Sequence, residues 1–391
     1  MNILYVLNDT YLLGGATKSF LTLIKSVLRK GHTPIVVTPD KKGVAATLRQ
    51  MGVKIIAVPY RNNTYPDCRN FTDAILFLPR LAGRRWLIHN AVQKVYEQVK
   101  AQNIALVHTN VSVVDVGERV ARMLGVPHIY HIREYADLDF NFHYYPSSKA
   151  FHKRLSRNYT LCITHAIQEH HHQAGNHKSM VVYNGISMEE EKETHALPPS
   201  PYFLYAGRIE ETKGLMELIT AYTKFAQCGN TEIPGLAIAG AVTDTDFYKN
   251  IAQYLEQKDV RNKTIFLGPR QDIGHLMRHA VATIVPSRHE GFGRCLPEAM
   301  LCGCITIGRD TAGTKEQYDN GLQFTGKEIG FRFHNTDELT KCLKQVCETS
   351  NAKLQDMRER AIRTINEYYT QQRYTDTIIH LYENIKHESN H

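Results

Sequence analysis

The chain has little that would brace it covalently or hold it in a membrane. Its eight cysteines include no C-x-x-C pair, and the nearest two, Cys302 and Cys304, flank a glycine in the apolar stretch MLCGCITI. They read as reduced, mostly buried thiols, with no disulfide frame and no zinc site. The opening MNILYVLNDT holds only five apolar residues in a row, Ile3 to Leu7, too short for a signal peptide or a membrane span, so a cytoplasmic location is expected. No G-x-G-x-x-G fingerprint is present, which argues against a dinucleotide-dependent dehydrogenase. Helix-turn-helix, zinc-finger and aromatic RNA-binding signatures are missing too, so no nucleic-acid partner is expected. There is no low-complexity tract.

What is present is a soluble globular composition, 42% hydrophobic and 22% charged, over 391 residues, enough for two cores of ordinary size. The net charge of +8 is unevenly spread. Residues 1 to 187 carry 23 Lys/Arg against 11 Asp/Glu, and the remainder 24 against 28. The basic half should attract something acidic. Its densest patch is residues 77 to 100, where Arg80, Arg84, Arg85, Lys94 and Lys100 alternate with Phe77, Leu78, Leu81, Trp86, Leu87 and Ile88. That mixture suits an anionic membrane surface, which would make the protein peripheral at the inner face of the cell membrane. An ordinary amphipathic surface helix has the same pattern.

Short β-rich runs recur along the chain, from NILYVL, PIVVT, KIIAV and ALVHT to YFLYAG, GLAIAG, TIFLG, ATIVP and CITIG. Helical patterns lie between them, as at residues 16 to 30, where Phe20, Leu23, Ile24, Val27 and Leu28 share one face and Gly31 is placed to stop the helix. Unbroken apolar strands alternating with helices predict parallel sheets covered on both faces. The series breaks once, at MEEEKETHALPPSP, residues 188 to 201, the expected linker. Two doubly wound domains, 1–187 and 188–370, are expected to face each other across a cleft, with ligands at the carboxyl ends of their strands.

Two acids and two glycines sit at one such strand end, in EGFGRCLPEA, residues 290 to 299. LPEAMLCG reads as a helix with Pro297 near its first turn and Gly303 past its end. Its free N–H groups and the Gly291 and Gly293 turn would form an anion site. A plainer alternative is that Glu298 complements the helix dipole and Glu290 is a solvated loop acid. YAGRIEETKG, after the strand starting at Tyr202, sets Arg208 and Lys213 around a turn, and two fixed cations there suit a diphosphate. In the first domain, Gly14 and Gly15 of NDTYLLGGATKS open a helix, a weak signal by itself.

Taken in order over nearly the whole chain, these motifs resemble the retaining glycosyltransferases of family 4, which have the GT-B architecture of two Rossmann-like domains. The resemblance lies in GG at 14–15, YHIRE at 130–134, YNGI at 183–186, GRIEETKG at 207–214, EGFGRCLPEA and AGTKE at 312–316. It implies a nucleotide diphosphate sugar as donor, with UDP favoured and GDP next, and a glycan or lipid-linked acceptor. It also implies that Arg208 and Lys213 hold the diphosphate, Glu290 faces the sugar ring and Glu298 accepts from the ribose hydroxyls. The amides of Phe292, Gly293, Arg294, Cys295 and Leu296, beside Gly291, would meet the phosphates or the sugar. Gly14 and Gly15 would belong to the donor site as well, and His131 would approach the sugar from the first domain.

The resemblance implies retention of configuration, with the acceptor attacking the face that the diphosphate leaves and no cofactor taking part. With Arg208 and Lys213 supplying positive charge, no metal is expected. The two D-x-D strings, Asp137–Asp139 and Asp244–Asp246, are read as structural, the second capping a helix that begins near Phe247. His170 to His172 reads as a polar helix face. Ser187 stands where the family often has Asp, and Thr314-Lys315 where an apolar-Pro pair is common, so the donor sugar's far edge is expected to be read differently. Residues 371–391 have helical apolar spacing and are expected to pack back on the first domain. A nucleotide-sugar epimerase of the same architecture and a basic nucleic-acid- or membrane-binding protein without activity are the alternatives.

Overall fold

The computed structural model describes residues 1–12, 14–68, 70–187, 195–199, 201–228 and 233–389. Contacts divide the chain into two units, Met1–Gly185 with Gln371–His391, and Ile186–Thr370. The first unit thus ends at Gly185, before the expected boundary at 187. Most of the expected linker, residues 188–194 and 200, lies outside the described residues.

Unit one is a seven-stranded sheet of β1 (Asn2–Val6), β2 (Thr33–Thr38), β3 (Lys54–Ala57), β4 (Ile104–Thr109), β5 (His128–Ile132), β6 (Tyr159–Cys162) and β7 (Ser179–Val181). Its order is β3-β2-β1-β4-β5-β6-β7. Unit two holds β8 (Tyr202–Ala206), β9 (Gly235–Ala239), β10 (Thr264–Gly268), β11 (Ala282–Val285), β12 (Thr306–Arg309) and β13 (Phe331–Phe333), ordered β10-β9-β8-β11-β12-β13. Every pairing is parallel. The apolar runs explain this. Ile3 to Val6 and Phe203 to Tyr205 are buried whichever way they point, because helices cover both faces. In both sheets the strand order reverses beside the first strand, between β1 and β4 and between β8 and β11, which opens a crevice at the carboxyl ends.

The helix Gly15–Arg29 begins one residue before the expected 16 and buries Phe20, Leu23, Ile24 and Val27. Gly31, at φ 75°, lets the chain turn away from it. Helix Phe71–Val99 contains the basic-apolar patch, but only its second half is packed, through Ile88, Ala91, Val92, Val95 and Val99. The helix Thr245–Gln257 starts ahead of the expected Phe247, and Asp244 caps it by accepting from the Phe247 amide at 2.9 Å. Among the described residues no helix is long and apolar enough to cross a membrane.

The last helix, Gln371–Ser389, is integral to unit one. Tyr374, Ile378, Ile379, Tyr382 and Ile385 join the core of Tyr5, Phe20 and Leu23, and the Tyr382 hydroxyl lies 2.6 Å from His108 Nδ1. Burying five such side chains contributes roughly 10 kcal/mol, comparable to the whole stability of a domain. Deleting residues 371–391 is therefore expected to abolish the cooperative unfolding of unit one while leaving that of unit two, which differential scanning calorimetry would separate.

Candidate functional site

In unit two the loop after β8 is fixed before any side chain acts. The Gly207 amide donates to Ala239 and the Ile209 amide to Ala241, both at 2.9 Å, which carries the chain outward beside β9. The Tyr205 hydroxyl, which burial keeps firmly protonated, donates to the Arg208 carbonyl at 2.7 Å. A single 3₁₀ turn, Glu211–Lys213, then brings the chain back, and Gly214 at φ 71° passes so close to β11 that a Cβ would overlap the Pro286 carbonyl. That passage places Lys213 Nζ 2.9 Å from Glu290 Oε1, where the loops after β8 and β11 meet. Arg208 lies further out, half exposed and paired with Glu210 at 3.1 Å.

The loop Glu290–Gly293 is clamped from the other side by helix Ala312–Thr325. Gly313 donates its amide to the Glu290 carbonyl at 3.0 Å and leaves no room for a Cβ, which would stand 2.7 Å from the Gly291 oxygen. Gln317 Nε2 donates to the Phe292 carbonyl. Gly293, at φ 70°, turns the chain into helix Cys295–Leu301. On that helix Glu298 faces back to Arg294, whose guanidinium contacts Oε1 at 3.0 Å. Pro297 lies in its first turn, Gly303 beyond its end, and Leu296 is buried beneath it. Burial, with Glu298 and Glu290 nearby, pushes the Cys295 thiol well up, so it is no nucleophile at neutral pH. Two buried polar atoms beside this loop, Thr314 Oγ1 and Gln317 Oε1, have no hydrogen-bond partner among the described residues.

In unit one, Gly14 caps the helix that Gly15 begins, at the carboxyl end of β1. His131 is fully buried at the end of β5. Its Nδ1 lies 3.2 Å from Arg133 Nη2, and an arginine can only donate, so the neutral ring carries its proton on Nε2. That Nε2 has no partner among the described residues. Burial, then the Arg133 and His108 charges, hold the ring well below the usual histidine range. Arg133 is gripped by Asn110, Asn184 and Tyr374 at 2.8 to 3.0 Å. Glu134, the last residue of YHIRE, accepts from the Ser112 amide and hydroxyl, yet burial lifts its carboxyl to about 7.

The histidine run departs from the expected polar face. His170 pairs with Asp137 at 2.8 Å, whereas His171 is fully buried against the Glu134 carbonyl at 2.8 Å. The helix ends at His170, so the chain turns and sends His171 inward.

Residues 13–190 match the domain described as Glycosyltransferase Family 4, and residues 187–364 match Glycosyl transferases group 1. Against Anabaena HepE in complex with UDP the chain superposes with a TM-score of 0.73 at 18% identity, covering 98% of this chain and 100% of that one. It has the GT-B glycosyltransferase fold. Among curated relatives, GDP-mannose:cellobiosyl-diphosphopolyprenol alpha-mannosyltransferase of Xanthomonas campestris is 34% identical over 133 residues, 32% of this chain and 33% of that one. N-acetyl-alpha-D-glucosaminyl L-malate synthase of Bacillus anthracis is 24% identical over 208 residues, 53% and 51% of the two chains. The matches thus span between a third and about half of these relatives' lengths.

One residue that shapes this site escaped the sequence reading. Arg309, buried at the end of β12, donates to the Pro286 carbonyl at 3.1 Å and to His334 at 2.8 Å, and pairs with Glu217 on the helix that follows Gly214. It locks the strand end against which the Lys213 loop turns. Nothing around GRD in the sequence marks it, because its partners lie 23 and 92 positions away.

Two outcomes follow for stability. Arg309→Met leaves Glu217 with only Arg288 at 3.8 Å and strips the Pro286 and His334 carbonyls of their donor, and is expected to cost about 2 kcal/mol, read by urea unfolding of unit two. In unit one, His108, His128, His131 and His171 are held neutral by burial, with His128 near 3 and His171 near 4. The unfolded chain takes up protons below the ordinary value of 6.5 that these rings refuse, so stability should fall as pH drops from 6.5 towards 4. Glu134 acts the other way, since its native carboxyl keeps a proton up to about 7 and its contribution is lost as pH rises from 4.5. Glu134→Gln should therefore steepen the pH dependence of unfolding, and an unchanged slope would contradict the assignment.

Proposed function

We propose that this glycosyltransferase moves a hexose or N-acetylhexosamine from a nucleotide diphosphate sugar to a lipid-linked or polysaccharide acceptor in bacterial surface-polysaccharide assembly, with retention of configuration and without a metal. The observation that carries the reading is Lys213 set against Glu290 at the switch point of unit two, with Glu298 on the helix that follows. Breaking the anomeric bond leaves an oxocarbenium-like sugar and a diphosphate, so positive charge is needed on one side and a carboxylate on the other. Lys213 and Arg208 serve the leaving group, and Glu290 serves the sugar. The incoming diphosphate would draw Lys213 from its carboxylate partner. Glu298 accepts from two adjacent ribose hydroxyls. The departing phosphate oxygen takes the acceptor's proton as the new bond forms on the face it vacates.

HepE binds UDP and the Xanthomonas relative is named for GDP-mannose, which supports a nucleoside diphosphate and keeps UDP first and GDP second as the base. Thr314 Oγ1 and Gln317 Oε1, unpartnered beside Gly293, suit the hydroxyl groups of the donor sugar. The unpartnered His131 Nε2, at the carboxyl end of β5 in unit one, is a hydrogen-bond donor suited to a hydroxyl group. In unit one a cavity of about 1340 Å³ sets Lys42, Arg61 and Arg84 beside Asp40, Asp67 and Asp73. Donors and acceptors mixed in this way suit a polyhydroxylated acceptor.

Thermal stabilisation by UDP, GDP, ADP and CMP with EDTA present tests the donor site. One nucleoside diphosphate should raise the melting temperature of unit two in the wild type and have little effect on Glu298→Ala. No shift from any of them at millimolar concentration would sink the transferase reading.

A further inference from the structure

The first half of helix Phe71–Val99 leaves an apolar face uncovered. Phe71, Ile75, Leu78 and Trp86 are 82%, 62%, 72% and 64% exposed, and with Ala82 their spacing lines up one stripe along four turns. A soluble helix would pack such a stripe or replace it with polar residues. Beside it opens a second cavity, of about 880 Å³, framed by helices Phe71–Val99, Val116–Leu124 and Ser148–Ser156. Arg85, next to Trp86, lines this groove together with Arg119, Arg122, Lys153, Arg154 and Arg157, against only two acids, Asp115 and Glu118. The acids do not neutralise it. Asp115 holds Arg119 at 2.7 Å and Glu118 holds Arg122 at 3.0 Å, while Lys153 and Arg157 make no ion pair among the described residues. Arg154 Nε is buried without a hydrogen-bond partner.

We propose that this face docks the protein on an anionic bilayer, with the stripe in the acyl boundary and lipid headgroup phosphates in the Arg85 groove. An apolar stripe lying beside a basic surface is the pattern of a helix resting in a membrane interface, with Trp86 at the headgroup level. Charge selects the bilayer over a second copy of this chain. A two-fold contact through the stripe would bring two excess-cationic grooves together, whereas anionic lipid neutralises each. The opposite face of the same helix, through Arg80 and Arg84, lines the larger cavity, so the docked helix would present that cavity to an acceptor carried by the membrane. The docking itself does not depend on what the donor site transfers.

Trp86 is the only tryptophan of the chain, so its fluorescence reports this site alone. Full-length protein is titrated with vesicles of neutral phosphatidylcholine or of phosphatidylcholine with phosphatidylglycerol, and binding is also read by sedimentation. The expected result is a blue shift and sedimentation with the anionic vesicles only, both reversed by salt. Lys153→Gln with Arg157→Gln should weaken partitioning roughly thirtyfold, since each cation near a charged surface contributes about fivefold. Phe71→Ser with Leu78→Ser should remove the blue shift; an unchanged melting temperature and far-ultraviolet circular dichroism would show that this variant is folded. No blue shift with anionic vesicles overturns the proposal. So does a blue shift without vesicles that grows with protein concentration as the mass doubles, or equal binding of both variants to the anionic vesicles.

Discussion

The loop after β8 passes the end of β11 with no space for a side chain between them, and the candidate site of unit two is organised around that contact. Gly214 makes the passage sterically possible through its positive φ and missing Cβ. Arg309 holds the Pro286 carbonyl against which it turns, and Glu217, on the helix that Gly214 opens, holds Arg309. The Lys213–Glu290 pair results from these backbone positions, since two loops that approach so closely leave their next side chains facing one another. A substitution at Gly214 or Arg309 would reach the chemistry without touching a ligand.

Much of this was legible because parallel sheets leave strong local marks. Buried strands read as unbroken apolar runs, and the ligand loops lie at their carboxyl ends, so GRIEETKG and EGFGRCLPEA could be placed before any coordinates. Residues whose role depends on partners distant in sequence were not legible. Arg309 looks like a charge after a strand until Glu217 and Pro286 are seen beside it. His171 has the sequence context of a surface histidine and is buried, because the helix stops at His170, before the histidine run ends. The Lys213–Glu290 pair could not be read as a pair, because 77 positions separate the two residues.

Unit one follows a different principle. Its central geometry is carried by buried polar groups, with Arg133 tying the β5 end to Asn110, Asn184 and the last helix, and with Tyr382 meeting His108 and Tyr5. Such a network is costly unless nearly every member is satisfied, which makes the unpartnered Nε2 of His131 stand out. Around this rigid centre lie surfaces with no motif code, namely the mixed-charge cavity, the basic groove and the bare apolar stripe. Of these the sequence marked only residues 77 to 100, as a mixture of basic and apolar side chains that an ordinary surface helix shares. Their meaning came from which face of helix Phe71–Val99 each residue occupies, a matter of helical phase that a charge count does not contain.

The central claim is that a nucleoside diphosphate sits where the loops after β8 and β11 meet. Hydrogen exchange of the full chain with and without saturating UDP or GDP tests it most directly, since bound phosphates and ribose should slow exchange of the amides they engage or cover. The account predicts protection in three stretches, 207–214, 290–298 and 312–318, whether or not the Gly14 and Gly15 amides are protected as well. No protection in any of those three stretches, under conditions where binding is independently measured, would contradict it.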